Sequence, residues 1–512
     1  MSIYKFKHPA LCFIAGWLSL LAMPPWGLWP AMFIGLSGFY LLLNKAETKK
    51  QAFAYGWLFA MGYFLPGLAW IGNALLVEGN DFKWVWPLAI LGLPILLSLF
   101  YGLSSVIYFI LHGERLKWLL FVAILSLTEW TRGHILTGFP WNLFGYAWTD
   151  INTIMQTASI GGIYFLSCLT IIWAAFPGLL FDRSTPKKIK FSVSLLIIFT
   201  VVSCLTYGFI RLQKHATIFD DQIYVRIVQP NISQADKWDP NKLSENLRTL
   251  ISLSADKNNK SPVTIIVWPE TAISSSALKA ESVQNALKET LASYEYDVFL
   301  TAGMLNSYPE EQQYFNSMVT LDRTLREISR FDKTHLVPFG EYIPFKDLIP
   351  FKPFAFYSGF TAGEGSKPTQ ITETFYYNPL ICYEILFPSE MITATNLTKS
   401  SAIINATNDA WYGDSSGPRQ HFAMAQYRAI ERGLPVIRVA NTGISGVIDP
   451  LGRVINQIPL MQQSAVTAPL PHSLTERTIY DRYKELPYFL VVLMLLAVLF
   501  KDPETVVNRR KI

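Results

Sequence analysis

Apolar residues run in long blocks through the N-terminal part of the chain and in short ones after it. Residues 1–212 hold seven runs, at about 8–24, 27–44, 52–77, 85–111, 117–131, 157–181 and 190–211. Each lies near the roughly 20 residues a helix needs to cross about 30 Å of hydrocarbon. The first run follows Lys5 and Lys7 as a signal peptide would, but further spans come at once, so an uncleaved helix is expected. An eighth run, about 486–500, has 15 strictly apolar residues and is short for a span. Between 222 and 475 the period changes. Short β-rich runs recur at 223–228, 263–268, 298–304, 315–321, 380–385, 402–405 and 436–439. Helical stretches at 240–255, 276–294 and 418–432 lie between them, the last stopped by Gly433 in the manner of a helix C-cap. Strands interleaved with helices predict a layered α/β domain. The pattern thus divides the chain into a seven-span membrane domain at 1–212, an α/β domain at 213–483, and an eighth span with a basic tail at 484–512.

Charge sharpens this division. Residues 1–212 carry 21 charged side chains and the remaining 300 carry 60, which excludes both a uniform soluble globule and a disordered chain. A net charge of only +5, without an extended basic patch, excludes a nucleic-acid-binding protein. Fifteen Lys and Arg occupy one set of short loops and tails, against only Lys83 and Arg132 in the alternate loops. Because basic loops stay on the cytoplasmic side, both termini are expected in the cytoplasm and the α/β domain outside, in the periplasm of a Gram-negative cell. Twelve of the 15 Trp fall in 1–212, many near span ends, as interfacial anchors do. The segment TRGHILTGFPWNLFGYAWTD at 131–150 is expected to be an exposed apolar loop, lying on lipid as an interfacial element or as part of a lipid portal.

Cysteine usage points to chemistry. Cys12, Cys168 and Cys204 fall in the spans, so Cys382 is the only cysteine of the outside domain and has no intradomain partner. A lone thiol in an oxidising compartment is either buried as a packing residue or used. Cys382 closes the apolar run Pro379-Leu-Ile, and strand ends are where α/β folds present reactive groups. A thiol nucleophile also needs a proton acceptor and a stabiliser for the oxyanion it creates. His335 and His421 raise a Cys–His pair but lie in no protease-like context, whereas Glu270 in IIVWPE and Lys333 in RFDKTHLVPFGEY are better placed. The sequence has no Cys/His cluster with zinc spacing and no nucleotide-binding loop, so no metal or other cofactor is expected.

Four motifs then occur in the order found in the nitrilase superfamily: WPE at 268–270, K-x-H-L-V-P-F-G-E at 333–341, CYE at 382–384 and NDAWYG at 408–413. The outside domain resembles that superfamily, which implies a four-layer αββα sandwich carrying a Glu–Lys–Cys triad of Glu270, Lys333 and Cys382. TGFPW at 137–141, KWD at 237–239 and the eight spans narrow the resemblance to the membrane-bound apolipoprotein N-acyltransferases. That resemblance implies transfer of a fatty acyl chain from a phospholipid, with phosphatidylethanolamine the family donor, through a Cys382 thioester. The acceptor it implies is the N-terminal amine of a diacylglyceryl apolipoprotein. It casts Glu270 as general base, Lys333 as oxyanion partner and Glu341 as support for the Lys and Cys geometry. Tyr383 and Glu384 are expected to shape the pocket, and Trp238 to line the lipid entrance or pack the domain. Asn408, Asp409 and Trp411 read as structural supports, loops around 341–365 as a surface flap, and membrane anchoring favours a monomer. Glu270→Gln and Lys333→Ala are expected to fold normally without accumulating thioester. Two rival readings are a membrane-anchored amidase or nitrile hydrolase that uses water as acceptor, and a non-catalytic assembly module.

Overall fold

The computed structural model describes residues 3–78, 83–113, 116–256, 259–344, 359–365, 367–388 and 400–500. Most of the flap expected around 341–365, and the basic tail, lie outside the described residues. The chain forms two compact units, one of residues 1–73, 84–216 and 477–512, the other of residues 74–83 and 217–476.

The first unit is helical: α1 (Ile3–Leu20), α2 (Trp29–Leu43), α3 (Lys49–Leu68), α4 (Trp86–Leu111), α5 (Lys117–Arg132), α6 (Asn152–Met155), α7 (Ala158–Phe181), α8 (Lys187–Lys214), and near its end the helix Leu486–Phe500. Each apolar run read from the sequence overlaps one of these helices, though 8–24 and 52–77 run on past the ends of α1 and α3. Among the described residues, the helical stretches Lys49–Leu75, Lys83–Leu111, Ala158–Phe181 and Lys187–Lys214 are long and apolar enough to cross a membrane, and Trp29–Leu43 and Leu486–Leu499 are shorter apolar helices. Lipid gives apolar helices no hydrophobic reason to associate, so close packing must hold them. A Cβ at Gly16 would overlap the carbonyl oxygen of Phe59, and one at Gly62 that of Phe13, so α1 and α3 meet backbone to backbone.

Segment 131–150 departs from the exposed loop expected of it. Arg132 is only 1% exposed, pairs with Glu129 at 3.1 Å, and donates to the carbonyls of Phe139 at 2.5 Å and Trp141 at 2.9 Å. The Tyr63 hydroxyl donates to the Asn142 carbonyl at 2.9 Å, and the Trp141 ring lies 4.7 Å from that of Trp70. Unpaired peptide groups are costly in apolar surroundings. Donors supplied by Arg132 and Tyr63 remove that cost and let TGFPW fold into the helical unit, while Ile135 and Leu136 stay exposed.

The second unit contains, in chain order, β1 (Phe219–Gln229), α9 (Leu243–Ser254), β2 (Val263–Val267), β3 (Ile273–Ser274), α10 (Ser275–Leu278), α11 (Glu281–Ala292), β4 (Asp297–Tyr308), β5 (Gln313–Leu321) and β6 (Glu327–Asp332). There follow β7 (Thr369–Gln370), β8 (Tyr376–Ile381), β9 (Ala402–Thr407), α12 (Ser416–Arg432), β10 (Val436–Ala440), β11 (Ser445–Ile448), β12 (Val454–Ile458) and β13 (Ser464–Pro471). One sheet has the order β13-β1-β2-β4-β5-β6, with β3 beside β4; the other has the order β12-β11-β10-β9-β8-β7. Strands β1, β2 and β4 run parallel, as do β8, β9 and β10. Both faces of these strands are covered, which is why VTIIV, AIINAT and VIRVA read as unbroken buried runs.

Val225, Ile265, Met318, Tyr377, Ile404, Ile437 and Val447 fill the space between the sheets. On the outer face of the first sheet, Leu250 of α9 with Leu287 and Leu291 of α11 packs on Ile266, Val298 and Leu300. Each such side chain contributes about 1.5–3 kcal/mol on burial. Helix α12 packs on β10 and β11 and ends at Gly433, whose φ of 66° is the left-handed cap its sequence predicted. The result is the four-layer αββα sandwich. Strands β6 (EISRFD) and β12 (VINQI) escaped the sequence reading because they are partly exposed and carry no apolar run.

Close approach of β4 to the segment after β2 sets the position of Glu270. A Cβ on Gly303 would strike the carbonyl oxygen of Pro269 and the Cα of Glu270. Gly303→Ala is therefore expected to push that segment off β4, to cost about 1–3 kcal/mol through overpacking, and to lower activity more than stability. Thermal melting and acyl-transfer rates measured together check this.

Candidate active site

Residues following strands of both sheets converge. After β2, the Trp268 amide donates to the Thr301 carbonyl at 2.9 Å and its indole to Ser254 Oγ at 2.8 Å, which pins the approach to Glu270. Thr271 follows with φ 45°, a strained left-handed value for a β-branched residue. After β6, Lys333 is held through its amide to the Asn316 carbonyl at 2.8 Å. Its ammonium is 1% exposed and lies 2.8 Å from Glu341 Oε1 and 3.5 Å from Glu270 Oε1. The Asn316 amide donates to both carboxylates, at 2.7 Å to Glu270 and 3.2 Å to Glu341, and Glu341 Oε2 accepts from the Val337 amide at 2.8 Å. Burial works against a charged Lys333, but Glu341, Glu270 and Cys382 outweigh it and hold the ammonium well above its usual range.

Cys382 follows β8. Its φ of 52° stops the strand at Ile381, short of the 385 expected, and turns residues 382–386 into a 3-10 helix. A non-glycine residue held this way is a strained elbow of the kind found at functional sites. The thiol is nearly buried, at 7% exposure. Burial first, and then the Glu270 charge, push it up to about 12; Lys333 pulls it back, Asp409 pushes with Glu270, and a hydrogen bond with Thr407 pulls down. The resting group is thus a thiol, and attack must be coupled to proton transfer.

The remaining residues singled out from the sequence fall close by. Glu384 is buried and accepts from the amides of Ile381 at 2.7 Å, Thr334 at 2.7 Å and His335 at 3.1 Å, and from the Thr334 hydroxyl at 3.0 Å. It clamps the segment after Lys333 to the elbow; burial raises its carboxyl against those donors. The Tyr383 ring lies 5.5 Å from His335 and 5.0 Å from Phe387. Trp238 is 40% exposed, with its ring 5.9 Å from the Lys237 ammonium. His335 stacks on Phe387 at 3.9 Å, and His421 meets the backbone carbonyl of Cys382 at 3.2 Å and Asp409 at 2.9 Å. Burial and Arg438 lower His421, while Arg438 and His421 overcome the burial of Asp409 and bring it down to about 2. Asn408 donates to Gln234 at 2.8 Å and accepts from Asn441 at 3.0 Å, supporting the loop after β1. Trp411 is exposed. Two neighbours of the site, Asn316 and Thr407, were not picked out from the sequence, and Lys237, quoted only within the KWD motif, had no role there; its ammonium donates to the Glu270 carbonyl at 2.9 Å.

A two-sheet sandwich that gathers a thiol, two glutamates and a lysine after its strands belongs to the carbon–nitrogen hydrolase class, and residues 224–480 match the family described as "Carbon-nitrogen hydrolase". Yeast Nit3, a nitrilase-superfamily protein of Saccharomyces cerevisiae, aligns at 16% identity and a TM-score of 0.37, over 53% of this chain and 97% of its own. Residues 15–176 match the family described as "Apolipoprotein N-acyltransferase N-terminal domain". The "Apolipoprotein N-acyltransferase" of Rhodopseudomonas palustris is 35% identical, covering 98% of this chain and 96% of that protein. The protein of the same name from Rickettsia bellii is 36% identical, covering 99% and 100%. The chain belongs to the apolipoprotein N-acyltransferase family.

Proposed function

We propose that the protein is a membrane acyltransferase that moves a fatty acyl chain from a phospholipid, phosphatidylethanolamine among them, to the N-terminal amine of a diacylglyceryl-cysteine apolipoprotein, through a thioester on Cys382. The relatives' names support the acceptor. The observation that carries the mechanism is the Cys382 elbow, a buried thiol coupled to Glu270 and Lys333 from another sheet. Glu270 takes the thiol proton as Sγ attacks the donor's ester carbonyl. Lys333 faces the developing oxyanion, where a preformed charge costs no reorganisation. The C–O bond breaks, Glu270 returns the proton to the glycerol oxygen, and a lysophospholipid leaves. In the second half, an acceptor amine that has lost its ammonium proton attacks the thioester carbonyl. The C–S bond breaks, one amine proton passes to Glu270 and on to the thiolate, and an amide results. Glu341 and Asn316 hold Lys333 and Glu270 in place, Glu384 and Tyr383 brace the elbow, and the exposed Trp238 is proposed to line the way in for lipid. The loop asymmetry in Lys and Arg supports cytoplasmic termini and a periplasmic catalytic unit, and anchoring in a membrane supports a monomer.

The test is peptide-level mass spectrometry of the full-length protein in phospholipid. A fatty-acyl mass on the Cys382 peptide, released by hydroxylamine and discharged by a diacylglyceryl-cysteine peptide, is the expected result. A thiol that stays bare in phospholipid yet turns over a small amide would overturn it in favour of a hydrolase.

A further inference from the structure

Charge around Cys382 does not balance on Glu270, Lys333 and Glu341 alone. Two carboxylates face one ammonium, in a site where the thiol is nearly buried. Other ionisable neighbours are accounted for: Asp409 is paired with Arg438 at 2.8 Å and with His421, and Glu384 is met by three amides and a hydroxyl. Tyr412 is kept neutral, because burial raises it well above its usual range.

The missing charge is Lys237, which is 8% exposed and lies in the loop between β1 and α9. That loop is tied down by Asn246, which donates to the Asp236 carbonyl at 2.9 Å, and by the Gln234–Asn408 bond. The Lys237 ammonium donates to the Glu270 carbonyl at 2.9 Å and to Thr271 Oγ1 at 2.7 Å, which is the point where the backbone is strained. It also lies within electrostatic reach of both Glu270 and Cys382.

We propose that Lys237 is a positioning residue for acyl transfer: it fixes the Glu270–Thr271 turn, and its charge keeps the site neutral both before and after the thiol proton moves. This rests on the reading of Glu270 as the base. Before transfer, Glu270 and Glu341 oppose Lys333 and Lys237; afterwards the Cys382 thiolate replaces Glu270 in the same balance. Without Lys237 both states carry an uncompensated buried negative charge, and the thiolate must form beside Glu341 with one cation between them. Burial pushes the Lys237 ammonium down to about 8 against the pull of Glu270 and Cys382. It is therefore charged at neutral pH and loses that charge as pH rises through about 8.

The experiment uses the full-length protein in phospholipid nanodiscs, as wild type, Lys237→Gln and Lys237→Arg, from pH 6 to 9. Two rates are followed: thioester formation on Cys382, and alkylation of Cys382 by iodoacetamide, which needs no lipid substrate. Glutamine keeps an N–H donor at the end of its side chain but carries no charge. Expected for Lys237→Gln are thioester formation slower by about a hundredfold and alkylation at pH 7 slower by about tenfold or more. Lys237→Arg keeps the wild-type alkylation rate at pH 7, and it lacks the decline in thioester formation that the wild type shows above about pH 8. A Lys237→Gln variant with wild-type rates of thioester formation and of alkylation overturns the proposal, as does equal slowing of thioester formation in both variants with alkylation at pH 7 unchanged. If Lys237→Gln does not fold, the comparison of wild type with Lys237→Arg decides, because an identical alkaline decline in both also overturns it. Glu270→Gln run alongside separates the two readings: thioester at the wild-type rate there removes Glu270 as base, while the alkylation rates at pH 7 still report the charge at Lys237.

Discussion

Cys382→Ser yields a folded protein with no acyl-enzyme and a transfer rate down by about 10⁴-fold or more. The substitution is nearly isosteric at an elbow whose φ of 52° is set by its surroundings, so melting should shift by about 1 kcal/mol at most. The chemistry, in contrast, fails twice. Even the cysteine thiol is pushed up to about 12 by its burial and by Glu270; a hydroxyl in the same setting is far less acidic, and a carboxylate cannot take its proton at a useful rate. Were an ester to form on serine, an amine would attack it much more slowly than a thioester. Time courses of lysophospholipid release and of amide formation separate these two failures. Full transfer by Cys382→Ser, or by Cys382→Ala, would remove Cys382 as nucleophile.

What could be read in advance was whatever lies within a few residues of a strand end. Glu270 follows IIV, Cys382 follows PLI, and Lys333 opens K-x-H-L-V-P-F-G-E, so apolar periodicity and motif order together placed the candidate residues. The apolar helices were equally legible, since long apolar runs predict them. Contacts made across the fold were not. Asn316 reaches Glu270 over 46 positions and Lys237 reaches its carbonyl over 33. The KWD motif marked Lys237 without a role, which appears only once the loop around it is seen to be tied down. Glu384 was placed beside the nucleophile, but its work as a clamp depends on amides 49 and 50 residues away. The elbow was also invisible, because an apolar run that stops near Cys382 says nothing of the left-handed backbone angle that turns the chain there. Arg132 misled in the opposite sense: a basic residue in an outside loop suggests exposure, yet its pairing with Glu129 lets TGFPW pack inside the helical unit.

Lys333→Met, read from sequence alone, removes an oxyanion partner and leaves the fold untouched; the geometry predicts otherwise. Lys333 is the buried cation between Glu270 and Glu341, whose Oε1 atoms share the Asn316 amide. Taking it away leaves two carboxylates side by side with one neutral donor between them. Breaking a buried pair by removing one partner costs about 3–5 kcal/mol, so the expected fall in melting temperature is roughly 10 °C, along with loss of thioester. The loss should depend on pH with a definite sign. In the wild type the raised Lys333 contributes stability at every pH below its unfolded value, and that stability is lost only as pH rises through the folded one, above the working range. In Lys333→Met the two carboxylates repel each other wherever both are ionised. The variant is therefore relatively stable in acid, where one of them holds a proton, and loses that stability as pH rises and both become charged. Melting curves at pH 5 and pH 8 should therefore diverge from wild type only at the higher pH. Adding Glu341→Gln to Lys333→Met should restore melting at pH 8 without restoring acyl transfer. A double variant that stays unstable would show that Lys333 supports the fold by packing rather than by charge.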